Sequence, residues 1–103
     1  VMVARSESAT GPFETLEEAK GVPHSLILFK NDRWLAPGHN CVVVDEAGED
    51  WIVYHAIDVN KPRQRQEDEV NSRRILLIDR IEWHEGWPWV GTPSGGQLPA
   101  PVV

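Results

Sequence analysis

The sequence has 103 residues, 41% of them hydrophobic and 25% charged, with a formal net charge of −6. That size gives one domain with a modest core, burying roughly 60–65% of the unfolded chain's surface. The acidic balance argues against a nucleic-acid or anionic-membrane partner, which needs a basic face. No apolar run approaches the roughly 20 residues of a membrane-spanning helix.

Val1 to Arg5 reads as a strand, and Ser6 to Pro12 as a turn-rich exit broken by Gly11-Pro12. The chain opens on Val1-Met2-Val3-Ala4, already strand-like, which suggests an internal segment and makes the lack of a signal peptide uninformative. Glu14 to Lys20 has helix-forming residues stopped by Gly21-Val22-Pro23, which predicts at most two turns and more naturally one. Ser25 to Lys30 is a second strand, followed by a turn at Asn31 to Arg33.

The central element is Trp34 to Ala56. A tight loop through Pro37-Gly38-His39 leads into the β-branched run Val42 to Val44, and the polar segment Asp45 to Asp50 turns the chain into Trp51 to Tyr54. Such a hairpin is antiparallel. With Val44 opposite Trp51, Asn40 faces His55; one residue of slip puts His39 opposite His55. In either register His39, Asn40 and His55 gather at one end. Cys41, the single cysteine, cannot close an internal disulfide and reads as a small buried side chain. Both faces of the hairpin are apolar, the pattern of a sheet covered on both sides, as in a propeller blade or a sandwich core.

Asp58 to Ser72 is polar, charge-dense and broken by Pro62, so it reads as a long exposed loop in which Arg63, Arg65 and Glu67 to Glu69 form a solvated surface. Arg73 to Asp79 is the next strand. Ile81 to Trp83 and Trp87 to Val90 are short extended pieces around the turn His84-Glu85-Gly86. From Gly91 the chain is rich in Gly, Pro and Ser and predicts an irregular tail without its own core.

Several of these segments, in this order, resemble glycoside hydrolase family 43. They are Arg5 to Phe13 (RSESATGPF), Pro37 to Val43 (PGHNCVV), Trp51 to Ala56 (WIVYHA), Arg74 to Asp79 (RILLID), Glu82-Trp83 and Gly86-Trp87-Pro88. The resemblance implies an all-β fold: antiparallel strands forming one to two blades of a five-bladed β-propeller, with residues 1–90 as the C-terminal blades and 91–103 as the tail. It implies that the parent enzyme is secreted or periplasmic and hydrolyses arabinan, arabinoxylan or xylan with inversion. Its partners would be an arabinose- or xylose-containing oligo- or polysaccharide, and the remainder of the propeller or another copy of the chain.

An inverting glycosidase needs two carboxyl groups roughly 6.5–9.5 Å apart, one as acid and one activating water. In the family these, with a third Asp, lie on earlier blades, and none of the 16 Asp and Glu residues here matches them. Asp45, Asp50, Asp79, Glu82 and Glu67 to Glu69 are better read as turn chemistry or surface. No residue of this chain is therefore expected to be catalytic, and the chain alone is expected to be inactive. By resemblance His39 lies at the floor of the central channel, where arabinanase-like members bind a cation, commonly calcium. Arg74 matches an arginine that reaches sugar hydroxyls and the acid Glu, with Arg73 as the neighbouring alternative. His39, Asn40, His55 and Arg74 are the expected substrate-contacting residues, and His39 the expected metal contact. Trp34, Trp51 and Trp83 read as packing residues. Trp87 and Trp89 could offer a ring to a sugar, with burial favoured. A non-catalytic carbohydrate-binding β-domain is the alternative function.

Overall fold

The computed structural model describes residues 1–61, 73–96 and 98–103, and its regular structure is almost entirely antiparallel β. The charged residues Arg63, Arg65 and Glu67 to Glu69 lie outside the described residues. The largest sheet has the order β3 (Trp34–Val44), β4 (Asp50–Asp58), β5 (Ile75–Arg80). The β3–β4 turn closes on Asp45, whose Oδ1 accepts from the amides of Ala47 and Glu49, both at 2.9 Å. A carboxylate folding back on its own turn is what sets where the two strands begin to pair.

Over Cys41 to Val44 the register is that of the slipped sequence alternative, and it departs from both alternatives only nearer the start of β3. Val44 faces Asp50 and Cys41 faces Val53, but Gly38 faces His55 and Leu35 faces Ile57. Irregularities between Leu35 and Gly38, and between Gly38 and Cys41, each slip the ladder by one residue. Pro37 has no N–H to give and so interrupts the ladder at this point. The stretch expected to be a loop is instead a strand bent by two bulges.

β4 lies between its neighbours and is buried over most of its length. Ile52, Tyr54 and Ala56 point to one face and form the core with Leu28, Trp34 and Ile81, flanked by Val1, Ile75, Leu77 and Val90. Within this core the Tyr54 hydroxyl donates to Asp79 Oδ2 at 2.5 Å, and the Ser94 amide donates to the same oxygen at 3.3 Å. The opposite face carries Val43, Leu35, Ile78 and Leu76, all exposed. The expected covering of both faces is thus met only in part by this chain's own residues: Trp51 and Ile57 are buried on this second face, while Val42 and Val44 stay exposed on the core face. Cys41 is exposed rather than buried, because β3 is an edge strand and the face it shares with Val53 is the open one.

Two short hairpins complete the structure. β1 (Ala4–Arg5) pairs with β2 (Glu14–Thr15), and β6 (Glu82–His84) with β7 (Trp87–Trp89). Helix α1 (Leu16–Lys20) is short, as expected: Thr15 caps it by accepting from the Glu18 amide, and Gly21 ends it. Ser25 to Lys30 forms only isolated bridges, Met2 with Leu26 and Leu28 with Gly91, since it serves a different neighbour on each side over only a few residues. Trp34, Trp51 and Trp87 are buried. Trp83 is not: its indole N–H donates to Asp50 Oδ2 at 2.7 Å at the surface, a correction that follows from β6 being a free edge of a two-stranded sheet.

The tail has no regular element among the described residues, yet it is tied down. Asn31 Nδ2 donates to the Pro93 carbonyl at 3.1 Å, and the Glu46 amide donates to the Val102 carbonyl at 2.9 Å. The Val102 amide donates to Asp45 Oδ2 at 3.1 Å. At Gly95 (φ 60°) the backbone lies against the Trp34 indole, where a Cβ would have no room.

Candidate functional site

The two bulges of β3 shape the site. Ala36 and His39 both take positive φ, 50° and 51°, a region that costs a non-glycine residue about 1–2 kcal/mol. Neither is a turn residue; both sit inside a strand. Such strain persists only when the surroundings fix it, and bulges of this kind re-aim side chains and carbonyls. Here the first bulge turns the Ala36 carbonyl, and the second turns His39, towards the middle strand.

Three of the four expected residues meet there. The His39 and His55 rings lie 5.2 Å apart between centroids and are tilted by 40°. Arg74, just before β5, donates through Nε to His55 Nδ1 and through Nη2 to the Ala36 carbonyl, and the same Nη2 lies 3.1 Å from the His55 carbonyl. One guanidinium thus joins all three strands of the sheet at the bulges. A planar fork with fixed donor directions does this; a lysine could not. The alternative arginine, Arg73, is exposed, as are Arg74 and His39 themselves. Asn40 is also exposed and makes no hydrogen bond to either ring among the described residues, because the bulge removes it from the position opposite His55.

The bonds settle the state of His55. Its Nδ1 accepts from Arg74, so the neutral ring carries its proton on Nε2. Partial burial, then the charge of Arg74, then that of His39, hold its pKa below the ordinary value of 6.5. His55 is neutral at pH 7 and presents one N–H donor. Sequence reasoning could not supply the Ala36 carbonyl as an acceptor; the only trace of it was Pro37, which announces a break in the ladder without saying where the carbonyl turns.

No group of three or more His, Cys, Asp or Glu side chains able to hold a metal occurs among the described residues. Calcium takes six to eight oxygens. His39 offers one nitrogen, His55 Nδ1 is occupied by Arg74, and the guanidinium itself is cationic. These residues alone therefore do not make a calcium site. The better enclosed carboxylates are committed elsewhere: Asp79 to Tyr54 and Ser94, Asp58 to Arg33 at 3.4 Å, and Asp45 to its turn and the tail. What the cluster can do is donate and orient, through a guanidinium and two imidazoles.

An all-β chain of antiparallel sheets, with Arg74, His39 and His55 gathered at the bulges of an edge strand, defines a class. It belongs to the glycosyl hydrolases of family 43, whose sequence profile matches residues 1–88. Over 93 residues it is 31% identical to the extracellular exo-α-(1→5)-L-arabinofuranosidase ArbA of Cellvibrio japonicus. That alignment covers 87% of this chain and 24% of the relative, so the chain spans about a quarter of the length of the curated relative it matches. The sheets agree with the expected partial propeller blades.

Proposed function

We propose that this chain is part of a secreted glycosidase that acts on arabinose-containing polysaccharide with inversion, and that it supplies Arg74, His39 and His55 to the substrate channel. The observation that carries this reading is the guanidinium of Arg74 bridging His55 and the strained Ala36 carbonyl. Backbone strain spent to hold three polar side chains at one place is the mark of a site rather than of a core.

The chemistry is supportive. Inversion needs an acid and a base on opposite sides of the sugar, and those carboxylates would come from parts of the protein outside this chain. Arg74 then has two tasks. Its remaining donors hydrogen-bond sugar hydroxyls, and its charge favours the ionised form of a carboxylate brought close to it. His55 contributes its Nε2 proton as a neutral donor, and His39 orients substrate or water. A calcium ion at His39 would draw its oxygen ligands from other segments and from water. The open face of the β3–β4–β5 sheet would pack against a neighbouring blade.

The test is release of arabinose from arabinan and short arabino-oligosaccharides by the intact protein, followed by chromatography. Arg74→Ala lowers kcat/KM at least a hundredfold, and Arg74→Lys does not restore it. Full activity in Arg74→Ala overturns the reading. A second reading, a non-catalytic carbohydrate-binding domain, is favoured by the lack of any carboxylate in the cluster among the described residues. It predicts saturable binding by calorimetry with no bond cleavage under any condition.

A further inference from the structure

We propose that the cleft beside Phe13 is a second carbohydrate-contacting surface, separate from the Arg74 cluster, which holds pentose units of the polymer without cutting them. The choice of a pentose polymer rests on the glycosidase reading above; the presence of a sugar-type surface does not.

The cleft is formed by the loop that joins β1 to β2 and has a volume of about 780 Å³. This is within the range of pockets that take small ligands, about 300–1,000 Å³. Phe13, Arg5, Ser6, Ser8, Glu7 and Glu14 contribute to its lining. Within this chain Phe13 is 59% exposed. At Gly11 (φ 90°) the loop backbone lies so close that a Cβ would stand 3.2 Å from the ring. The loop keeps its own shape through the Ser8 amide, which donates to Ser6 Oγ at 3.1 Å, and through the Ser8 and Thr10 hydroxyls, 3.2 Å apart.

Charge decides what kind of ligand fits. Arg5 donates to Glu14 at 2.8 Å and its guanidinium stacks on the Trp87 ring at 4.1 Å. Its charge is already matched, and Glu7 adds a further negative group. An anion would therefore meet repulsion. A neutral polyhydroxylated ring meets the opposite: its polarised C–H face lies on the negative face of Phe13, and its hydroxyls find carboxylate acceptors and serine hydroxyls around it. A sugar has both features at once.

The experiment compares the intact protein with Phe13→Ala and Phe13→Trp, measuring retention on arabinan by affinity electrophoresis and turnover of a short chromogenic arabinofuranoside. Phe13→Ala weakens retention about tenfold, the scale of one lost aromatic contact, and leaves turnover within about twofold. Phe13→Trp keeps both. Unchanged retention in Phe13→Ala overturns the proposal, and so does a loss of retention matched by an equal loss of turnover. Phe13-dependent retention without any arabinose release leaves this surface standing and overturns the glycosidase reading instead.

Discussion

Leu76→Lys tests the open face of the sheet, and its effect has opposite signs in two settings. Leu76 is 73% exposed, Val43 44% and Ile78 39%, and all three lie on the same side of β3, β4 and β5. Fully burying one such side chain is worth roughly 1.5–3 kcal/mol. Scaled by these exposures, the three leave about 3–4 kcal/mol per chain unrealised. Two copies of the isolated 103-residue chain placed face to face would recover about twice that. Against an association cost of about 4 kcal/mol or more, this leaves at most about 4 kcal/mol, a Kd of about 1 mM or weaker, so self-association sets in only at the top of a concentration series from about 0.1 to 5 mM. Sedimentation across that series should show the average mass rising for the wild type and staying at one chain for Leu76→Lys. A wild-type chain that is monomeric throughout, or a variant that associates equally well, refutes the reasoning. In the intact protein the face is covered on our reading, so a lysine there is forced from water and lowers stability by several kcal/mol. Unchanged unfolding of the intact variant would show that nothing sits on this face.

His55 is neutral at pH 7 because its pKa lies below 6.5. A folded value below the unfolded one gives stability that is complete above pH 6.5 and lost as pH falls through the folded value. NMR titration of the ring should find its midpoint depressed in the wild type and raised in Arg74→Ala; a midpoint indifferent to Arg74 would contradict the bond drawn above. Tyr54→Phe leaves the buried Asp79 carboxylate with only the Ser94 amide, at a cost of about 2 kcal/mol. That corresponds to roughly thirtyfold faster amide exchange along β4 and β5, and exchange at the wild-type rate would count against it. Asp45 is held down to about 2, first by the Val102 amide. Its hold on the tail is therefore complete above the ordinary carboxylate range and lost only as pH falls through about 2. Asp45→Ala should deprotect the Val102 amide at neutral pH, whereas Asp45→Asn, which keeps an acceptor oxygen, should deprotect it less.

The antiparallel pattern, the turn at Asp45 and the gathering of His39 and His55 at one end could be read from residue order, because β-branched runs and a polar turn are local signals; Arg74 was marked by resemblance alone, and its bonds to His55 and the Ala36 carbonyl were not legible. The register was legible only over Cys41 to Val44, where the slipped alternative holds. Pro37 shows that the ladder breaks, but two successive bulges shift partners by amounts that no alternation of side chains records. Burial was misjudged for Cys41 and Trp83 for a related reason: an apolar residue shows that a surface tends to be covered, without showing whether the same polypeptide covers it. The irregular tail was legible as irregular, while its attachment through Asp45 and Asn31 depends on backbone amides that carry no sequence signature.

The double kink of β3 has a consequence beyond the placement of His39. A free edge lined by Val42 to Val44 would ordinarily invite another chain to dock along it and continue the sheet. This edge departs from a straight track at Ala36 and again at His39, and lacks a donor at Pro37 between them. A visiting strand could follow it for only a few residues before the spacing of amides and carbonyls went out of step. The same distortion that shapes the polar cluster also makes the border of the sheet a poor template for fibril growth.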